Sequence, residues 1–278
     1  MWVLMWALLL VGCTAPVAVG PPAPDAALQL PDRPPPWPER GAPLTEAEVV
    51  FPDGFGTRRV FLDPGHGVGD NVGAETVGCV LEEVVNLEVA QDLARRLEAM
   101  GHFEVRLARS TVEGPAYPQR VEDAGAWGAD VLLSLHTDWR GEPWLWDAGP
   151  DRQCWRNDAE PGFSVLWSDL GDTALVEGRR VLARSLARGM ADAGMLAYDG
   201  ALYGDRYELD EVPGAFLDRR GLLMLRRPQM PSVIIETHHG LHLDEWSRWQ
   251  EEMTRAAFAG AVAAALVELS EASDDPTP

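Results

Sequence analysis

Two histidines and two glutamates occupy positions from which a chain could do chemistry. His66 follows a short apolar run and has glycine on both sides, in Asp63-Pro64-Gly65-His66-Gly67. His136 ends the run Asp130-Val131-Leu132-Leu133-Ser134-Leu135, and Glu236 ends Ser232-Val233-Ile234-Ile235. Glu82 opens a segment of helical character. Two imidazoles and one carboxylate, from His66, Glu82 and His136, have the composition of a catalytic zinc site with three protein ligands and an open fourth position. Glu82 lies 16 residues beyond His66 and His136 lies 70 beyond it. That is far from the His-Glu-x-x-His helical pattern, so only the fold could assemble such a site. Glu236 ends an apolar run, where an unpaired charge is costly, so it reads either as a working acid/base or as a buried ion-pair partner. On residue types and spacing alone, histidines satisfied by polar neighbours fit as well as metal ligands do.

The surrounding elements decide whether these residues can meet. Arg59–Asp63 reads as a buried strand stopped by Pro64-Gly65. Glu83–Met100 repeats apolar residues at Leu87, Ala90, Leu93, Ala94 and Leu97, the helical period, and Gly101 supplies its stop. Phe103–Leu107, Asp130–Leu135, Phe163–Ser168, Leu222–Leu225 and Ser232–Glu236 read as further strands. Tyr117–Trp127, Thr173–Ala193 and Asp244–Leu269, the last in one or two pieces, read as helices. Strands alternating with helices predict one α/β domain over residues 49–270 with helices on both faces of the sheet. In such sheets the working residues gather beyond the carboxyl ends of the strands, where His66, His136 and Glu236 fall.

Four collinear segments carry a resemblance. Asp63-Pro64-Gly65-His66-Gly67, then Glu82 four residues before Asn86-Leu87, then Ala129 to His136, then Met230-Pro231-Ser232-Val233-Ile234-Ile235-Glu236 together resemble the zinc-dependent N-acetylmuramoyl-L-alanine amidases of bacterial cell-wall turnover. The resemblance covers roughly residues 59–267. It implies His66, Glu82 and His136 as the ligands of one Zn2+ per chain, Glu236 as the catalytic glutamate, and a phosphorylase/hydrolase-like mixed sheet of about six strands. Glu83 competes with Glu82, and the register on Asn86-Leu87 favours Glu82. The implied reaction is hydrolysis of the amide between the lactyl carboxyl of N-acetylmuramic acid and L-alanine in peptidoglycan. Zinc brings the pKa of a bound water to about 7 and polarises a carbonyl. A glutamate beside that water takes its proton and returns it to the departing amine; an ordinary Glu236 would be ionised at neutral pH. The rivals are another zinc amidohydrolase or peptidase on the same fold, and a non-catalytic peptidoglycan-binding lipoprotein.

The sequence departs from the family pattern in three places. After Glu236 it continues Thr237-His238-His239-Gly240-Leu241-His242, histidines expected on a solvent loop or in contact with substrate, with His238 the candidate for a supporting role. Asp138 replaces a common asparagine and is, with Trp139, a candidate substrate contact. The stretch Trp139–Gly162 holds Trp139, Trp144, Trp146 and Trp155, either a platform for sugar faces or a hydrophobic plug, and Tyr203–Arg220 is expected as a second loop walling the site. Cys79 and Cys154, one beside Glu82 and one in the Trp-rich stretch, are a possible disulfide pair or two buried thiols. Among the paired arginines, Arg219-Arg220 and Arg226-Arg227 are candidates for the carboxylates of stem peptides.

Residues 1–12, Met-Trp-Val-Leu-Met-Trp-Ala-Leu-Leu-Leu-Val-Gly, have the apolar length of a signal-peptide core. Leu10-Val11-Gly12-Cys13 resembles the lipobox of bacterial lipoproteins, which implies lipidation of Cys13, export and a cell-envelope, periplasmic location with the membrane as partner. An ordinary cleaved signal or a helical anchor is the alternative. Ten of the 22 prolines fall within residues 14–46, so 13–48 is expected to be an extended tether reaching on the order of 100 Å. Residues 271–278 are expected to be a disordered acidic tail. The chain of 278 residues carries 23 Lys+Arg against 44 Asp+Glu, a formal charge of −21, which excludes phosphate-backbone binding. With 46% hydrophobic and 24% charged residues it can bury a core, and it is expected to be a monomer.

Overall fold

Each central strand presents apolar side chains to both sides, and the fold covers both. In the computed structural model, which describes residues 35–274, β1 (Arg58–Pro64), β2 (Phe103–Leu107), β3 (Val131–Asp138) and β9 (Ser232–His239) lie parallel as neighbours. β6 (Ser164–Trp167) and β8 (Ala215–Asp218) run against them, and β7 (Tyr207–Leu209) forms the far edge. The order β2-β1-β3-β9-β6-β8-β7 makes a mixed sheet of seven strands. Successive side chains alternate between faces. Val60, Leu62, Leu133, Leu135, Val233 and Ile235 pack with α1 (Glu82–Ala99), α3 (Thr173–Asp192) and α6 (Glu252–Asp274). Phe61, Leu132 and Ile234 pack with α2 (Tyr117–Trp127) and α4 (Leu223–Arg226). α6 is long and apolar enough over Glu252–Ala272 to cross a membrane by composition, but 72% of that window is buried in the fold. It is a core helix.

The predicted α/β class holds, with three differences in detail. The Tyr203–Arg220 loop folds into β7 and β8, which is why the sheet exceeds six strands. The Trp139–Gly162 stretch contains a hairpin of β4 (Trp144–Gly149) and β5 (Arg152–Arg156), separate from the main sheet. Leu222–Leu225, expected as a strand, is instead the start of α4, a single turn that buries Met224 and Leu225. A run of four apolar residues fits a buried helical turn as well as a strand, and Pro228 soon ends it. The C-terminal helix, expected in one or two pieces, is in two, α5 (Leu243–Trp249) and α6.

The boundaries of the predicted tether and tail also move. Residues 35–48 are not extended away from the domain. Trp37 is buried and donates from Nε1 to Glu245 Oε1 at 2.9 Å, Thr45 N donates to Ala193 O at 3.0 Å, and Arg248 donates to Ala42 O at 2.8 Å. An indole with an apolar body and one donor docks where both can be satisfied. The expected tail begins inside α6, which continues to Asp274. The expected signal segment, Cys13, the first part of the tether and residues 275–278 lie outside the described residues.

Candidate metal centre and its cavity

The strand order sets β1, β3 and β9 side by side with their carboxyl ends at one edge, and the polar residues expected to do chemistry gather there. His136 pairs directly with Glu236 across β3 and β9, and Pro64 at the end of β1 pairs with Leu135. His66 follows β1, and Glu82 is the first residue of α1, where the helix dipole favours a carboxylate. Ligand atoms of His66, Glu82 and His136 all lie within 4.8 Å of one another. His66 Nε2 is 3.1 Å from Glu82 Oε2, and His136 Nδ1 is 3.2 Å from Glu82 Oε1. Burial alone would raise the Glu82 pKa, but hydrogen bonds from His136 and His66 outweigh it and hold the carboxyl well below its usual range. Burial lowers the His66 pKa, the hydrogen bond and charge of Glu82 raise it, and the net shift is upward. Two glycines make the convergence possible. A Cβ on Gly65 would overlap the His136 ring, and one on Gly73 would fall on Glu82 Oε2 and the His66 ring.

The donor set fits a zinc ion: two imidazole nitrogens and one carboxylate, with His66 and Glu82 oriented by further groups. His66 Nδ1 contacts Asn71 Oδ1 at 2.8 Å. Glu82 accepts from the amides of Thr137 at 3.1 Å and Ala74 at 3.2 Å, and from Asn86 Nδ2 at 3.3 Å. His66 has φ 63°, a left-handed conformation disfavoured for a residue with Cβ. Its backbone is therefore held from several sides. The amide donates to Tyr117 OH at 3.0 Å, and Arg120 Nη2 donates to the carbonyl at 2.6 Å. Arg109 donates to the carbonyls of Pro64 and Gly65, both at 2.9 Å. Arg120 also forms a fully buried ion pair with Asp63 at 2.7 Å, and Asp63 accepts from Ser134 Oγ at 2.6 Å. Arg109 and Arg120 were not singled out in the sequence. Their only signal was an aspartate inside a buried strand, which demands a cation.

Glu236 has a different environment. Its Oε2 is buried and has no hydrogen-bond partner among the described residues. Burial, then the charges of Asp138 and Glu82, push its pKa well above the carboxylate range, against the opposing Arg140 and Arg220. The expectation of an ordinary glutamate is corrected in direction: its carboxyl holds a proton more tightly than usual. His66, Glu82, His136 and Glu236 all line one cavity of about 430 Å³.

Asp138 and Trp139 line this cavity too. Asp138 is firmly held, accepting from Arg140 Nε at 2.8 Å and Tyr203 OH at 2.6 Å, while Trp139 is 45% exposed. His238 is elsewhere. It is fully buried, stacks on Trp249 at 5.2 Å, and burial takes its pKa down to about 3. The β3–β9 register shifts between His136 and Asp138, so strict alternation fails just beyond Glu236. His239 and His242 are buried as well, and His242 caps α5 by accepting from Glu245 N. The expected solvent loop of histidines is thus replaced by core.

Cys79 and Cys154 form a disulfide, with Cα atoms 5.4 Å apart. The bridge ties the β4–β5 hairpin to the turn before Glu82. Trp146 Nε1 donates to Val77 O at 3.2 Å, and Arg152 Nη2 donates to Cys79 O at 2.7 Å. Trp144 and Trp155 remain exposed, so the Trp-rich stretch does not act as a plug.

The family model for N-acetylmuramoyl-L-alanine amidases matches residues 60–268, which include every residue of this cluster. The chain belongs to that family. Among its amidase relatives, AmiC of Neisseria meningitidis serogroup B is 27% identical over 194 residues, covering 64% of this chain and 44% of that protein. LytC of Bacillus subtilis is 39% identical over 79 residues, covering 28% and 15%. The chain therefore spans less than half the length of these curated relatives. An apo amidase of Mycobacterium abscessus superposes with a TM-score of 0.60 at 20% identity, covering 77% of this chain and 99% of that one. An amidase of Clostridium difficile 630 gives 0.58 at 19%, covering 76% and 95%. At such identities the shared property is the fold.

Proposed function

We propose that the chain is a zinc-dependent amidase that hydrolyses the bond between the lactyl carboxyl of N-acetylmuramic acid and L-alanine in peptidoglycan. The carrying observation is the convergence of His66, Glu82 and His136 within 4.8 Å, next to Glu236 on the neighbouring strand. His66, Glu82 and His136 would hold the ion. Bound there, zinc supplies Lewis acidity, which acidifies water and polarises an amide carbonyl. Among the described residues Glu236 Oε2 has no hydrogen-bond partner, whereas Asp138 is committed to Arg140 and Tyr203. Glu236 takes a proton from the attacking water and delivers it to the departing amine of L-alanine. A raised pKa makes its carboxylate a stronger proton acceptor than an ordinary glutamate. Added positive charge in the cavity offsets Asp138 and Glu82, and so favours the ionised base. Cys13 is the lipid attachment point in this reading, and the disulfide fits an oxidising, exported location.

Purified full-length protein is expected to carry one zinc per chain and to release stem peptides with free N-terminal L-alanine from intact sacculi. Glu236→Gln is expected to keep the zinc and lose about 10²- to 10⁴-fold in kcat. Peptide–peptide cleavage, or equimolar zinc surviving His66→Ala, overturns the assignment.

A further inference from the structure

Part of the wall of the same cavity carries an arginine that, among the described residues, has no close ion pair. All 23 basic residues of the chain are arginine, and with 44 acidic residues available, most arginines near carboxylates are ion-paired. Arg219 illustrates this, pairing outward with Asp169 at 3.1 Å and with Glu208. Its neighbour Arg220 does not. Asp218, at the end of β8, uses Oδ1 to accept from the Arg220 amide at 3.0 Å and Oδ2 to accept from the Leu222 amide at 2.7 Å. That turn puts the Arg220 side chain on the cavity wall, its guanidinium 4.5 Å over the Tyr207 ring. The nearest carboxylate contact is Asp218, 3.9 Å from Nε and already committed to backbone. Among the described residues the guanidinium makes no hydrogen bond within normal distance. Arg206 lines the same cavity and, among the described residues, donates to the carbonyls of Tyr203 and Leu202 and to no carboxylate.

We propose that Arg220, supported by Arg206, is a receptor for a carboxylate of the stem peptide and sets the preference of the enzyme for substrates that carry it. The inference rests on the amidase reading and deepens it. Glu236 marks the departing-amine side of the reaction, and Arg220 shares its cavity and acts on its charge, so the receptor serves the peptide rather than the glycan. Arginine offers a planar fork that matches a carboxylate with two hydrogen bonds, and stacking on Tyr207 fixes the plane of that fork. Two neighbouring cations repel; burial, then Arg206, lower the Arg220 pKa, and the charges of Glu236 and Asp138 offset this only in part. An anion placed between them relieves that cost. Of the four arginines that the sequence offered for this role, Arg219 is paired outward and Arg226 and Arg227 are exposed away from the cavity lining. Arg220 remains, and Arg206 joins it.

A stem peptide whose third residue has no side-chain carboxyl presents two free carboxylate sources, the α-carboxyl of the γ-linked second residue and the C-terminal carboxyl. The test uses the zinc-loaded full chain and soluble muramyl peptides in four forms: both carboxylates free, each one amidated singly, and both amidated. One single amidation is expected to lower kcat/KM by about 10- to 100-fold, chiefly through KM, and so to name the carboxylate. Arg220→Gln is expected to lower kcat/KM on the free form by a similar factor and to bring the free-to-amidated ratio towards one. Arg220→Lys should keep part of the preference. Calorimetric binding of the released peptides to Glu236→Gln protein, with and without Arg220→Gln, reads the same contact without turnover and guards against a folding defect. No discrimination between free and amidated peptides by the parent protein, or equal losses on all four substrates in Arg220→Gln, overturns the proposal. Hydrolysis of none of the four by the parent protein overturns the amidase reading instead, and the binding arm still judges Arg220.

Discussion

The two walls of the cavity are built on opposite electrostatic plans. On the side of β1 and α1, nearly every polar atom is met: Asp63 by Arg120 and Ser134, Glu82 by three N–H donors and two imidazoles, and the carbonyls of Pro64, Gly65 and His66 by two arginines. On the side of β9 and β8, among the described residues, Glu236 Oε2 has no hydrogen-bond partner and Arg220 has no committed carboxylate. Finished networks rigidify, and that suits a site that must present three ligands to a metal before substrate arrives. Unfinished groups keep their interactions for the reacting molecule, where interaction energy lowers the barrier. The left-handed His66 stands on the finished side, strained and held by its neighbours.

The largest effect should come from breaking the finished side at its centre. Arg120→Met leaves Asp63 buried without its cation and frees the His66 carbonyl. The expected loss is about 3–5 kcal/mol of folding stability, read by denaturant unfolding, with weaker zinc retention on dialysis. A loss under about 1 kcal/mol would show that the β1 terminus does not depend on this pair, and the contrast between the two walls would fail.

The hairpin belongs to neither plan, since it is tied by covalent chemistry. Removing the Cys79–Cys154 bridge with Cys154→Ala should cost about 2–4 kcal/mol, because it closes a loop with a sequence separation of 75 residues. Zinc content should persist, since the ligands are held by β1, β3 and α1, while KM for polymeric peptidoglycan rises as the exposed Trp144 and Trp155 lose their fixed position. Loss of zinc along with the bridge would place the hairpin within the finished side.

How far the sequence revealed each wall follows the same division. His66, His136 and Glu236 were legible because each ends an apolar strand, and Glu82 because it opens a helix. Side-chain period, helical period and the carboxyl-end rule all pointed to one place. Arg120 was not legible, since in α2 it sits in a polar stretch, Gln119-Arg120-Val121-Glu122-Asp123, that reads as a solvated face. Its burial depends on Asp63, 57 residues away. His238 was read as loop or supporting residue because the strand was expected to end at Glu236, whereas β9 continues to His239 and its register on β3 shifts beyond Glu236. Residues 35–48 read as tether because prolines dominate their composition, whereas one indole, Trp37, finding Glu245 across 208 residues anchors the segment. Local pattern gives elements and their ends; long-range pairing of single polar groups gives the rest.

The smallest effect concerns pH, and it separates the unfinished wall from the core behind it. In chelator-treated protein, the raised pKa of Glu236 means that the folded state holds its proton more tightly than the unfolded state does. Its contribution to stability is complete below the ordinary glutamate value of 4.5 and is lost as pH rises through the folded value. His238 and His239 act oppositely. Burial lowers them from 6.5 to about 3 and about 4, so the unfolded chain takes up their protons first. Their contribution is complete above about 6.5 and disappears as pH falls towards 4 and 3. The difference in unfolding free energy between Glu236→Gln and the parent protein should therefore grow with pH from about 5 upward, in favour of the variant. Between His238→Phe and the parent it should grow as pH falls below 6.5, again in favour of the variant. Parallel stability curves for Glu236→Gln and the parent across pH 5–8 would mean that Glu236 finds a partner in solution, and the contrast between a finished and an unfinished wall would narrow to Arg220 alone.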